Sequence, residues 1–116
     1  MYSPEDQAEA RTTAELHARI AVIAAQPTRT QPGQCRLRAA LIEVWRAPPG
    51  LAAGGVIEVW VDSCWRGQRS PPGEDVRLCI EDLVAGRQIE LHARALPSDP
   101  AGQACFAVTL GLAELR

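Results

Sequence analysis

The sequence predicts a mainly β fold, a small antiparallel barrel of five or six strands with a short N-terminal helix. Apolar and polar residues alternate with a period of two over several segments, and Pro- and Gly-rich turn signals recur between those segments. The 116 residues fit one domain. We expect residues 1–17 to form a helical extension and residues 18–116 to form a single soluble barrel domain.

A surface helix is predicted at the start of the chain. Ser3 can cap it, Pro4 suits its first position, and Glu5 and Asp6 favour the positive end of the helix dipole. The helical pattern continues to about Leu16, and its apolar face consists largely of alanines. We expect a first strand to follow over residues 18–25.

Five further segments are predicted to be strands: residues 35–46, 56–65, 76–80, 87–96 and 104–112. The first of these is partly apolar on both faces, which predicts a bulge or bend of the kind that lets a sheet curl into a barrel. In the second, Ile57, Val59 and Val61 alternate with polar or aromatic residues, so we expect these three side chains to point into the core.

The composition disfavours several classes of function. The net charge is −2, and all 12 basic residues are arginine, a balance that disfavours binding of duplex nucleic acid. The apolar stretch over residues 20–25 is too short to span a bilayer, and residues 1–20 lack the basic start and apolar run of a targeting signal. We therefore expect no membrane span and favour a cytoplasmic protein, with export as the alternative if the cysteines form disulfides.

The chain has four cysteines, Cys35, Cys64, Cys79 and Cys105. They could form two disulfides in three connectivities, and the alternative is four buried thiols that pack as small hydrophobic side chains. Because there is no Cys-x-x-Cys pair and because His17 and His92 stand alone in the sequence, we expect no metal and no cofactor. No serine or cysteine has an activating base close by in the sequence, so we expect no catalytic residue and no enzyme activity.

One order of motifs resembles a known family. A strand ends in Val44-Trp45-Arg46, a Pro/Gly loop leads into Val56-Ile57-Glu58-Val59-Trp60-Val61, and later Cys79 precedes Leu83-Val84-Ala85-Gly86 and Ile89-Glu90-Leu91. Over about residues 18–115 this order resembles the netrin-like domain, the OB-type barrel of tissue inhibitors of metalloproteinases. The resemblance implies an OB-like barrel. It does not imply protease inhibition, because this chain begins Met1-Tyr2-Ser3-Pro4 where those inhibitors carry a Cys-x-Cys wedge.

Two Trp-Arg steps and a third tryptophan stand out as candidate binding residues. An exposed cluster of tryptophan and arginine is a common centre of binding energy. If the strands over residues 35–46 and 56–65 pair, two of the tryptophans could lie near each other. The alternative is that Trp60 packs under the helix while Trp45 and Trp65 close the barrel ends. The candidates are Trp45, Arg46, Trp60, Trp65, Arg66 and Arg69.

These features favour a non-catalytic module that binds a protein partner, or further copies of itself, through the Trp/Arg face and the loops at residues 48–55 and 67–75. The alternative is a protein that binds single-stranded nucleic acid, since OB-type barrels do this with stacked aromatics and a basic groove. The negative net charge disfavours that alternative. A structural subunit of a larger assembly is compatible with the same features.

Overall fold

The computed structural model describes residues 3–67 and 78–116 of the chain. Helix α1 covers Pro4–Thr13, and a short 3-10 turn covers Ile80–Asp82. The strands in these residues are β1 (Leu16–Pro27), β2 (Gly33–Arg46), β3 (Val56–Cys64), β4 (Leu78–Cys79), β5 (Gln88–Leu96) and β6 (Cys105–Leu115). Each segment predicted to be a strand overlaps one of them.

Five of the described strands close into a barrel. β2 pairs with β1 and β3, and β5 pairs with β1 and β6, all in antiparallel orientation. A parallel pairing between β3 and β6 completes the ring, and β4 adds to β3 outside it, also in parallel. The predicted small, mainly β barrel is confirmed, and the closure between β3 and β6 is where it departs from an all-antiparallel order.

Aliphatic side chains from all five barrel strands fill the interior. The three inward residues predicted for β3, Ile57, Val59 and Val61, are buried, because side chains of a strand alternate between the two faces of the sheet. Phe106 of β6 is among the largest fully buried side chains, with 2% of its surface exposed. The core therefore lies inside the ring, and the residues that alternate with the core residues along each strand form the outer surface.

Helix α1 is shorter than the sequence predicts. It ends at Thr13, and Leu16, expected as its last apolar residue, is fully buried as the first residue of β1. The helix buries none of its own residues, so the core gains more from Leu16 in a strand than from a longer surface helix. Ser3 caps the helix as predicted, since its Oγ accepts the Asp6 N–H at 3.1 Å. In the described parts of the chain, no helix has the length and apolar character needed to cross a membrane.

Three β-bulges interrupt the ladder between β1 and β2. Register shifts leave Ile23 of β1, and Ile42 and Trp45 of β2, without a residue directly opposite. The same three side chains are exposed, by 44%, 39% and 48%. A bulge inserts one extra residue, and that residue leaves the inward–outward alternation of its strand. The bend predicted for β2 is confirmed, and it carries two large apolar side chains to the outer surface.

β6 carries a wider bulge next to helix α1. Leu91 of β5 pairs with Ala113, but Ala93 pairs with Val108, so residues 109–112 of β6 stand opposite a single residue of β5. In this bulge Leu110 has a φ of +45° and is half-buried. Its carbonyl accepts a hydrogen bond from the Gln7 side chain of α1 at 3.5 Å. The helix thus lies against the bulge.

Candidate functional site

Three aromatic rings lie in a row on the outer surface of β2, β1 and β5. The His17 ring stacks on the His92 ring, with centroids 3.9 Å apart and planes inclined by 16°. Trp45 packs against His17, with centroids 4.6 Å apart and a tilt of 33°. We call these three side chains the ring row. The register explains it, because His17 pairs with His92 on β5 and with Arg46, the neighbour of Trp45, on β2.

A charged network borders the ring row. His17 Nε2 lies 3.1 Å from one carboxylate oxygen of Glu90, and Arg116 donates to the other at 2.6 Å. The hydrogen bonds from Arg116 and then from His17 lower the pKa of Glu90. Burial, followed by the neighbouring charge of His17, lowers the pKa of His92. At neutral pH His92 of the ring row is therefore neutral, and Glu90, which borders the ring row, is ionised.

Acidification is expected to destabilise the fold in two stages. The folded pKa of His92 lies below its unfolded value of about 6.5, so the unfolded chain binds more protons and stability falls as the pH drops below about 6.5. Glu90, with a lowered pKa, stabilises the fold above its unfolded value of about 4.3, and this contribution is lost as the pH falls through the folded pKa. Urea unfolding at about pH 7.5 and about pH 5.5 measures the His92 stage alone, because both pH values lie above the unfolded pKa of Glu90. His92→Gln should lose less stability between these two conditions than the wild type, and an equal loss would contradict the assignment.

Arg46, predicted as a binding residue, links β2 to helix α1. Its Nη1 donates to the carbonyl oxygens of Arg11, Thr12 and Ala14 at 2.9, 3.2 and 2.8 Å. The last carbonyls of a helix lack partners within the helix and carry the negative end of its dipole. A guanidinium there donates hydrogen bonds to these carbonyls and also interacts favourably with the dipole. Arg46 therefore holds the helix beside the ring row.

Replacing Arg46 is expected to loosen helix α1 without unfolding the barrel. Arg46→Ala removes the charged donor from three carbonyls. We expect a local loss of stability of only about 1–2 kcal/mol, because the Arg46 side chain is exposed to water. Amide hydrogen exchange should become faster in residues 7–14 and stay unchanged in β3. Arg38→Ala, which removes another exposed arginine of β2, is the matched control. Unchanged protection of the helix in Arg46→Ala would refute this role.

Trp60 lies apart from the ring row. It is half-buried on the outer face of β3, opposite Arg36 of β2 and Ala107 of β6. The two strands do pair, but Arg36 lies near the start of β2 and Trp45 near its end, so Trp45 and Trp60 do not meet. Arg36 and its neighbours line a separate polar cleft of about 250 Å³.

The second Trp-Arg step follows β3, at the end of the barrel opposite the ring row. Trp65 is 48% exposed, as is Trp45, so neither side chain closes a barrel end. The Arg66 N–H donates to both carboxylate oxygens of Glu81 at 2.9 and 3.1 Å, and its guanidinium donates to Asp82 at 2.8 Å. Arg69, the remaining candidate, lies outside the described residues.

An apolar cleft opens at the same end of the barrel as the ring row. Its volume is about 270 Å³. It lies between the β2–β3 loop, which the sequence predicts to be a contact loop, and the β5–β6 loop. Its lining includes Pro48, Pro49, Leu51, Ala95, Leu96 and Phe106. The cleft therefore opens just beyond the end of β2, with Pro48 three residues after Trp45.

All four cysteines lie within the described residues and are thiols in the structure. Burial raises the pKa of the Cys35 and Cys105 thiols. Glu58, Asp99 and Cys105 bring their donor atoms within 4.8 Å of one another, a set that could in principle hold a cation. These groups also have partners in the protein, because the Cys105 thiol donates to Glu58 at 3.8 Å and Asp99 accepts two N–H groups of its own loop. We interpret this cluster as part of the hydrogen bonding of the β5–β6 loop.

His17 and His92, which stand alone in the sequence, lie against each other in the structure. Each histidine occupies an outward position in an alternating segment, a signal that is visible in the sequence. Only the strand order makes β1 and β5 neighbours, and only the bulge at Trp45 brings the third ring alongside. The ring row offers aromatic surface and hydrogen-bonding groups suited to binding. Neither the models of known protein families nor the sequences of curated proteins match this chain.

Proposed function

We propose that this chain is a non-catalytic protein-binding module built on an OB-type barrel, with the ring row at the centre of its contact surface. Trp45 is the observation that carries the proposal. It is 48% exposed on a β-bulge, and its ring packs against His17. Tryptophan is enriched among the residues that dominate protein-binding energy, and a ring already held in place loses little side-chain entropy on binding.

The strand order supports the OB-type assignment. Around the ring the order is β1-β2-β3-β6-β5, a five-stranded arrangement of the Greek-key kind found in OB-type barrels. Leu83 is buried in the core, and Gly86 has a φ of +88°, so the Leu-x-x-Gly part of the netrin-like motif has a structural role in this chain. The netrin-like relationship itself stays a prediction.

The ring row favours a protein partner over a single nucleic-acid strand. The two faces of the His17 ring are covered by Trp45 and His92, so bases cannot stack on it. The neighbouring arginines are engaged as well, Arg46 with carbonyls of α1 and Arg116 with Glu90. The net charge of −2 points the same way.

The chain around Trp45 suits an extended segment of the partner. β3 pairs with β2 only as far as Ala40, whereas β1 pairs with β2 as far as Arg46, so residues 42–46 have a described strand neighbour on one side only. An unpaired strand edge can add a peptide through main-chain hydrogen bonds, and neighbouring apolar surface selects its side chains. Ile42 is exposed three residues before Trp45 on the same strand, and the apolar cleft lies at the same barrel end. We therefore propose a peptide segment with apolar side chains as the ligand.

Selection of peptides from a displayed library against the purified chain tests this proposal. We expect the selection to enrich peptides with apolar or aromatic side chains. These peptides should no longer bind when the Trp45→Ala variant replaces the wild type. A labelled oligothymidylate, titrated at several salt concentrations, is the nucleic-acid arm of the test. Tight, steeply salt-dependent binding of that oligonucleotide, or a selection without peptides that depend on Trp45, would contradict the proposal.

A further inference from the structure

We infer that Cys64 and Cys79 are placed to form a disulfide with each other, and that Cys35 and Cys105 are not placed to join them. The bond would fasten β4 to the end of β3. It lies at the opposite end of the barrel from the ring row and does not depend on the proposed function.

The backbone register places the two cysteines side by side. In the parallel pairing of β3 with β4, Cys64 stands directly opposite Cys79, one step after Ser63 and Leu78. Neighbouring strands lie about 4.8 Å apart, which falls within the separation of about 4.4–6.8 Å between the Cα atoms of natural disulfides. Opposed residues of parallel strands also project to the same face of the sheet. Rotation of the two side chains can therefore bring the sulfur atoms together.

Contacts on both sides of the cysteines hold the two segments at this spacing. Before them, Ser63 pairs with Leu78. After them, the Arg66 N–H donates to the Glu81 carboxylate at 2.9 and 3.1 Å. Arg66 and Glu81 each lie two residues beyond their cysteine, so this contact also joins the two segments past the ends of the strands. The cysteines are thus enclosed between two fixed points.

The other two cysteines lie elsewhere in the barrel. Cys35 pairs with Val61 and is fully buried in the core. Ser63 continues the inward alternation of β3, so the next residue, Cys64, faces away from that core. Cys105 pairs with Glu58, at the start of β3 rather than at its end. Of the pairings that four cysteines allow, the register therefore supports Cys64 with Cys79.

The reaction needs a two-electron oxidant, and a small disulfide such as oxidised glutathione supplies it. Cys79, which is only half-buried, attacks the oxidant as a thiolate and releases one glutathione thiol. Cys64, as a thiolate, then attacks the Cys79 sulfur and releases the second. The protein loses two protons and two electrons, and the oxidant becomes two thiols.

Incubation of the folded chain with oxidised and reduced glutathione tests the inference. The reaction is stopped by alkylation in denaturant, and intact mass and peptide mapping locate the linkage. We expect Cys35 and Cys105 to be alkylated, and the peptides that contain Cys64 and Cys79 to be joined. The oxidised wild type should also show a raised Tm, because the bond closes a loop in the unfolded chain. Reduction should restore the original Tm.

Serine variants make the assignment specific. Cys64→Ser and Cys79→Ser should each abolish the bond and the Tm shift, whereas Cys35→Ser and Cys105→Ser should keep the bond. Cys79→Ser alters a half-buried position and serves as the test if Cys64→Ser does not fold. A persistent glutathione adduct on Cys79, alkylation of all four thiols, or a linkage that involves Cys35 or Cys105 would overturn the inference. Peptide binding at the ring row should be the same in oxidised and reduced protein, so the two proposals can fail independently.

Discussion

Phe106→Ala is expected to remove a large part of the stability of the barrel. Phe106 is 2% exposed and lies where the ring closes, opposite Val59 of β3 on one side and Ala95 of β5 on the other. Truncating a buried phenylalanine costs about 3–5 kcal/mol, against a total stability of about 5–15 kcal/mol for a typical domain. The pairing between β3 and β6 spans only residues 58–60 and 105–107, the shortest ladder of the ring. Loss of the core contact should therefore open the barrel at this point.

Urea unfolding followed by circular dichroism measures the effect of Phe106→Ala. Val84→Ala is the matched control, because Val84 is 55% exposed and its truncation should change stability by no more than about 0.5 kcal/mol. Equal unfolding midpoints for the two variants would mean that Phe106 does not close the core as described.

Trp45→Ala is expected to abolish most of the binding of selected peptides while the barrel stays folded. Truncation of a tryptophan at the centre of an interface costs about 2 kcal/mol or more, which is roughly a 30-fold loss of affinity. The ring is 48% exposed in the unbound chain, so the free energy of unfolding should fall by about 1 kcal/mol at most. Isothermal titration calorimetry gives the affinity, and thermal unfolding gives the stability of the same samples.

Trp65→Ala provides the control for this prediction, because Trp65 is as exposed as Trp45 and lies at the other end of the barrel. We expect its affinity for the same peptides to remain within about twofold of the wild type. Trp45→Phe should keep part of the affinity, since it retains an aromatic ring against His17. If Trp45→Ala and Trp65→Ala lose affinity equally, the contact surface is not centred on the ring row.

The alternation of side chains was sufficient to predict the barrel. Ile57, Val59 and Val61 are buried as expected, because a strand with one covered face shows its burial directly in the sequence. The sequence predicted a bulge or bend in the strand over residues 35–46, and β2 has two bulges. The helix was predicted too long because Leu16 fits a helical spacing as well as a strand, and only the core decides between them.

The ring row could not be predicted, because it depends on which strands are neighbours. His17 and His92 are far apart in the sequence, and alternation indicates only that both point outward. The bulge at Trp45 depends on the register between β1 and β2, which local patterns do not specify. For the same reason the Trp-Arg steps looked equivalent in the sequence. The structure separates them, since Arg46 holds helix α1 whereas Arg66 is bound to Glu81 and Asp82.

Site-specific photo-crosslinking in cells that express the chain is the most direct test of the ring row as the contact surface. A photoreactive amino acid is introduced at Ile42, which is exposed three residues before Trp45 on β2, and separately at Val84, which is exposed at the other end of the barrel. We predict a discrete crosslinked protein from position 42 that is absent from position 84 and is lost when Trp45→Ala is added. Crosslinks that are the same from both positions, or that persist without Trp45, would contradict the account.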